Sequence, residues 1–221
     1  MIFAEKALKR LREGNRRFVS DASFFNKLSH QSRRHTLTVD QEPFAIILGC
    51  SDSRVPAEII FDQGLGDLFV IRVAGNIVAP SQIGSIEFAV ERFDTQLVVV
   101  MGHSKCGAIL ATLEELKRPS EDQSQNLRSI VNRIRPSVEP LIATNLGRHP
   151  DILLQQAVRA NISSSVNQLR HGSEVLEKLI QEDALLIVGA EYSLDTGVVD
   201  FFDGLPLNHL STDHNKHCSI V

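Results

Sequence analysis

Cysteine is scarce, tryptophan is absent, basic residues are not in excess, and no long hydrophobic run occurs. Each shortage excludes something. Three cysteines in 221 residues, Cys50, Cys106 and Cys218, are too few and odd in number for a disulfide scaffold. Lys and Arg total 23 against 27 Asp and Glu, a formal net charge of −4, so a general nucleic-acid binder, which needs a basic face, is not expected. No apolar run approaches the ~20 residues that span a bilayer. The longest, Phe44–Leu48 and Leu97–Met101, are strand-sized, and no membrane partner is expected. The opening MIFAEKALKRLREGNRRF mixes both charge signs and has no apolar core followed by a cleavage site, so a soluble, cytoplasmic protein is expected. In a reducing compartment a thiol is more readily a ligand or nucleophile than half of a bridge.

What is present is enough apolar residue, 43%, for a core in a chain of one-domain length. The expected unit is a single domain over 1–207, with 1–42 as an N-terminal helix and wrapping arm and 208–221 as a flexible tail. The first helix, Phe3–Phe18, sets Phe3, Ala7, Leu8 and Leu11 on one face, which must cover either its own domain or a partner subunit. Four runs rich in Val, Ile and Leu follow: Pro43–Gly49, Asp67–Val73, Gln96–Gly102 and Ala184–Ala190. Continuous apolar runs of this length suit strands buried on both faces, as in a parallel sheet. Helical patterns over Ser81–Phe93, Cys106–Lys117, Asn126–Asn145, Asp151–Leu169 and Ser173–Ile180 alternate with them, which predicts an α/β fold. A fifth strand near Val198–Phe202 is expected to pair antiparallel at an edge.

Two segments carry chemistry: Gly49-Cys50-Ser51-Asp52-Ser53-Arg54 and Gly102-His103-Ser104-Lys105-Cys106-Gly107. Each begins where a predicted strand ends, and the carboxyl ends of parallel strands face the ligand crevice. If the two strands are neighbours, Cys50, His103 and Cys106 converge on one point. A thiolate opening a helix is favoured by the dipole and the exposed amides. Two thiolates and one imidazole suit Zn²⁺ and leave a fourth position for water, as in catalytic zinc sites. Asp52 could close the site as a fourth ligand, or pair with Arg54 and accept a hydrogen bond from bound water.

CSDSRVPAE at Cys50–Glu58 and GHSKCGA at Gly102–Ala108 resemble the two signature segments of the β-class carbonic anhydrases, bacterial type. DLFVIRVAGN at Asp67–Asn76, IGSIEFAVE at Ile83–Glu91 and GAEYSLDTGVV at Gly189–Val199 are similar to the same family. The resemblance implies one zinc per chain on Cys50, His103 and Cys106, with Asp52 and Arg54 as the catalytic pair. It implies a four-stranded parallel sheet of order 2-1-3-4 in a homodimer or dimer of dimers, with the N-terminal helix embracing the partner. The implied reaction is hydration of CO2 to bicarbonate by zinc-bound hydroxide. The Gly107 amide would donate to substrate oxygen, Gln41, nine residues before Cys50, would reach substrate, and Phe69 and Phe88 would wall the apolar pocket.

Charge counting adds to this. Zn²⁺ with two thiolates and a neutral imidazole sums to zero, so bound water should be less acidic than in an all-histidine site, and activity should rise into alkaline pH. Some family members have a bicarbonate-inhibited closed state built from a tryptophan, an arginine and a tyrosine. Arg72 and Tyr192 match the last two, whereas Ile47 stands at the tryptophan position and cannot supply an indole donor. Arg72 serves either that site or a structural carboxylate, and Phe69 and Phe88 are also plain core candidates. His209, His214, His217 and Cys218 invite a second metal site, and His30 and His35 a proton relay, although such residues are more often simply solvated. Competing readings are a hydrolase of carbonyl sulfide or carbon disulfide on the same scaffold, a cysteine phosphatase or sulfurtransferase, and a zinc-free binding protein. The Cys50-x3-Arg54 spacing is too short for the phosphate cradle of the phosphatases.

Overall fold

The structure, a computed structural model, describes residues 2–22, 38, 40–118 and 124–206. Each apolar run forms a strand: β1 Ala45–Gly49, β2 Leu68–Arg72, β3 Leu97–His103 and β4 Leu186–Tyr192, followed by β5 Val199–Asp203. The sheet order is β2-β1-β3-β4-β5; the first four strands are parallel and β5 pairs antiparallel with β4. This is the α/β sheet expected from the sequence.

The continuous burial of β1 and β3 has a simple cause: side chains alternate between two covered faces. Ile46, Leu48, Val98, Val100 and Ile187 enter one apolar layer. It is covered by α3 (Pro80–Phe93), α4 (Gly107–Lys117), α5 (Gln125–Ile142), α6 (Pro150–His171) and α7 (Glu174–Gln181). Ala45, Ile47, Leu97, Val99, Met101 and Val188 enter the other, covered by α1 (Ala4–Val19) and the short α2 (Ala57–Ile60).

Of the two surfaces the sequence allows for α1, its own domain takes the apolar stripe. Ala7, Leu8 and Leu11 are fully buried, and Asn15 bonds Ile60 O, Gly197 O and the Val199 amide. A Cβ at Gly14 would meet the Phe61 carbonyl, so glycine here permits the close approach. Phe3 alone of the stripe stays exposed, at 66%.

Three local features depart from expectation. The helix predicted over 126–145 ends at Ile142, and Asn145–Arg148 is a 3-10 turn that Thr144 caps through the Leu146 amide. His103 ends strand β3 rather than following it, and Cys106 is the N-cap of α4. α2 and a 3-10 turn over Ala74–Asn76 are too short to give a periodic signal. His30, His35, His209, His214, His217, Cys218 and the 208–221 tail lie outside the described residues.

Candidate metal centre

β1 and β3 are neighbours, yet the chain leaves β1 toward β2 on one side and β3 toward β4 on the other. Their carboxyl ends therefore frame a switch point, where α/β sheets open a crevice. Cys50 follows the last residue of β1, His103 ends β3, and Cys106 caps α4. All three are buried, and their ligand atoms lie within 4.8 Å of one another.

The two sulfurs are 4.0 Å apart, close to the ~3.8 Å edge of a tetrahedral site with 2.3 Å metal–sulfur bonds. His103 Nδ1 lies 3.0 Å from the Ser104 carbonyl. That contact needs Nδ1–H as donor, which leaves the Nε2 lone pair facing the sulfurs. Nε2 is buried without a hydrogen-bond partner among the described residues, and an unpaired imidazole nitrogen in the interior is costly unless something binds it. The donor set and its orphaned nitrogen fit a tetrahedral thiolate- and imidazole-binding cation such as zinc.

Backbone amides serve both sulfurs. Gly75 N–H reaches Cys50 Sγ at 3.4 Å, with the Asp52 amide also contributing. The amides of Ile109 and Ala108, in the first turn of α4, reach Cys106. The Cys106 thiol donates to Cys50 and, with the Asp52 and Gly75 amides, outweighs burial to lower the Cys50 thiol well below its ordinary range. Cys106 is pushed well above its ordinary range because it keeps the proton shared with Cys50 and is itself buried. A divalent cation must displace that proton to gain both thiolates.

Asp52 stands beside the cluster with Oδ2 3.8 Å from His103 Nε2, beyond hydrogen-bond reach. Arg54 grips it with Nε to Oδ1 at 2.9 Å, Nη2 to Oδ2 at 2.7 Å and its amide to Oδ1 at 3.0 Å. These bonds hold the Asp52 carboxyl well below the usual carboxylate range, against a smaller opposing effect of burial. The Arg54 side chain is 55% exposed, so the pair fixes geometry more than it stabilises the fold.

Arg72 donates to the carbonyls of Cys50 at 3.0 Å and Asp52 at 2.5 Å. It clamps the 50–52 loop by its backbone, a role closer to the structural alternative than to an anion site, although its partners are carbonyls rather than a carboxylate. Tyr192 sits beside His103 in the strand register and is buried. Ile47 is buried in the sheet layer opposite Cys50.

Gly107 opens α4 next to Cys106, where helix geometry leaves its amide without an intrahelical acceptor. Gln41, Phe69 and Phe88 are not brought to the cluster. Phe69 pairs with Ile46, four residues up the strand from Cys50 and about 13 Å away at strand rise. The Phe69, Phe88 and Phe93 rings pack together at 5.8–6.3 Å. Gln41, Phe88 and Phe93 line a cavity of about 460 Å³ with Gly66 and Arg92, toward the opposite end of β2. Sequence reading missed Ser104, Gly75, Asn161 and Ser165. Ser104 and Gly75 left a trace, as the serine of GHSKCGA and the glycine of RVAGN.

A family model described as carbonic anhydrase matches residues 45–199. The carbonic anhydrase of Mycolicibacterium smegmatis is 39% identical over 194 residues, covering 88% of this chain and 91% of that one. The crystal structure of a β-carbonic anhydrase from Aspergillus fumigatus superposes with a TM-score of 0.70 at 27% identity, over 81% of this chain and 84% of the other. A chain from the crystal structures of two tetrameric β-carbonic anhydrases of Sordaria macrospora shares the fold, with a TM-score of 0.67 at 23% identity over 78% of this chain and 87% of that one.

Proposed function

The chain belongs to the β-class carbonic anhydrases, and on that premise we propose that it hydrates CO2 reversibly to bicarbonate at one zinc held by Cys50, His103 and Cys106. The observation that carries the reading is the orphaned His103 Nε2 facing two buried sulfurs 4.0 Å apart. When bound, zinc supplies the Lewis acidity that makes water a nucleophile near neutral pH.

The chain's own residues do the rest. Ser104 fixes the His103 tautomer through Nδ1. Asp52, ionised and held by Arg54 in the bidentate grip, accepts a hydrogen bond from the attacking water and orients it. In this arrangement both Asp52 oxygens are engaged by Arg54, so Asp52 acts as acceptor; direct ligation would require Arg54 to let go. The Gly107 amide donates to substrate oxygen at the mouth of the crevice.

Gln41, Phe69 and Phe88 lie too far along the sheet to touch substrate in their own chain. Their place is at the pocket of a second subunit. β2 is an edge strand, which proteins normally cover, and Phe88 beside it is 54% exposed. A homodimer covering this edge, with Phe3 at the head of α1 reaching the partner, completes both sites; a dimer of dimers is built from the same unit. No helix of the described residues is long and apolar enough to cross a membrane, and we place the enzyme in the cytoplasm. The test is metal analysis with stopped-flow CO2 hydration of wild type and Cys106→Ser: about one zinc per chain with rapid hydration, both lost in the variant, support the reading. A fully zinc-loaded wild type that does not hydrate CO2 contradicts it.

A further inference from the structure

The amides that serve Cys106 belong to its own helix, so their aim is set locally. Gly75, which serves Cys50, is 25 residues away and must be aimed by something else. It lies in the 74–76 turn with left-handed φ of 69°, followed by Asn76 at 43°. Glycine adopts left-handed backbone freely and Asn tolerates it, so the sequence permits this turn and its surroundings must hold it in one shape.

Two residues of α6 impose it. Asn161 Nδ2 donates to Gly75 O at 2.8 Å, and Ser165 Oγ donates to Asn76 O at 3.0 Å. They stand four apart on one helix face, each only 2% exposed, among Val158, Ile162 and Val166 of the apolar layer. A polar side chain in such a layer is costly unless bonded, and both have their partner in this one turn. From the other side Ile134 of α5 closes the space: a Cβ on Gly75 would come within 2.8 Å of its Cδ1. The turn is therefore pinned by α6 through its carbonyls and by α5 through packing.

We infer that Asn161 and Ser165 are positioning residues of the metal centre: by holding the 74–76 turn they aim the Gly75 N–H at Cys50 Sγ and so set how much electron density that thiolate gives the metal. This rests on the reading of Cys50 as a metal ligand. An N–H···S bond draws density from sulfur, and outer partners of this kind tune metal sites strongly.

The test loads purified full-length protein with cobalt(II) and records the thiolate-to-cobalt charge-transfer band for wild type, Ser165→Ala, Asn161→Leu and Ser165→Thr, with thermal melts on each. In S165A and N161L the band is expected to move to longer wavelength as the thiolate becomes more electron-rich. Zinc affinity, read by competition with a chromophoric chelator, is expected to fall about 10–100-fold because the loosened turn no longer holds Cys50 in place for the metal. S165T, which keeps the hydroxyl, is expected to restore both. S165A removes one atom without adding volume and decides the matter if N161L does not fold. Folded, cobalt-loaded S165A with the wild-type band and affinity would overturn the inference. A wild-type chain that shows no thiolate band would overturn the metal reading itself, and this inference with it.

Discussion

In the proposed zinc site Cys50 and Cys106 would bring two negative charges to one divalent cation, and that balance would govern the expected pH response. With the metal's charge cancelled, the nucleophile forms at higher pH than in an all-histidine site, so kcat should climb from pH 6 into the alkaline range. A profile flat from pH 6 to 9 would contradict this. Asp52 is not the source of the climb, because Arg54 holds its carboxyl well below the usual range and it stays ionised throughout. The sign for stability follows: a depressed carboxylate contributes above its unfolded value near 4 and loses that contribution as pH falls. Asp52→Asn keeps the shape but weakens the acceptor, and kcat/KM is expected to drop about 10²–10⁴-fold while the zinc content holds. Arg54→Ala frees the carboxylate and is expected to cost about 10–100-fold. Unchanged kcat/KM in D52N would remove Asp52 from the mechanism. The proposed metal ligands were legible in the sequence because Cys50 and His103 stand at strand ends and Cys106 opens the next helix, each within its own local signature. Asn161 was not, since its partner Gly75 is 86 residues away and no spacing encodes that pairing.

Gly102, one residue before His103, sits where a Cβ would come within 2.7 Å of Ile162, so α6 packs directly on the end of β3. Gly102→Ala forces the two apart, with an expected loss of about 1–3 kcal/mol in stability and weaker zinc binding through the displaced His103, measured by denaturant melts and chelator competition. Wild-type values of both would show that the junction yields freely. On β4, burial raises the Glu191 carboxyl above its ordinary range despite the attraction of Arg159. A raised carboxylate favours the fold when protonated, so its contribution is present below its unfolded value near 4.3 and is lost as pH rises. Glu191→Gln is therefore expected to melt above wild type at pH 8, with the gap closing toward pH 4; a gap that widens toward acid would reverse the assignment. The strands were legible because runs such as LVVVM fill both faces of the sheet. α2 was not, because four residues are shorter than one period of any pattern.

Across the whole molecule, the Cys50–His103–Cys106 cluster and the aromatic group around Phe88 lie toward different ends of the sheet, and in the proposed homodimer a second copy brings them together. Phe88→Asp should place charge on the exposed face beside edge strand β2, and sedimentation is expected to show monomers with intact zinc and sharply reduced turnover. A monomeric variant with full activity would mean that each chain completes its own pocket. The resemblance assigned Gln41, Phe69 and Phe88 to a substrate pocket, and the proposal that the pocket is the partner's could not come from it, because family resemblance suggests a residue's type and not the chain it serves. Added bicarbonate should inhibit without cooperativity, since Arg72 is already engaged by the Cys50 and Asp52 carbonyls and Ile47 offers no donor; sigmoidal inhibition in initial-rate assays would contradict this. The most direct measurement is stopped-flow CO2 hydration with zinc determined on the same sample, beside Cys106→Ser. The expected result is about one zinc per chain and hydration far above background in wild type, both lost in C106S. A wild type holding one zinc per chain with only background hydration would contradict the account.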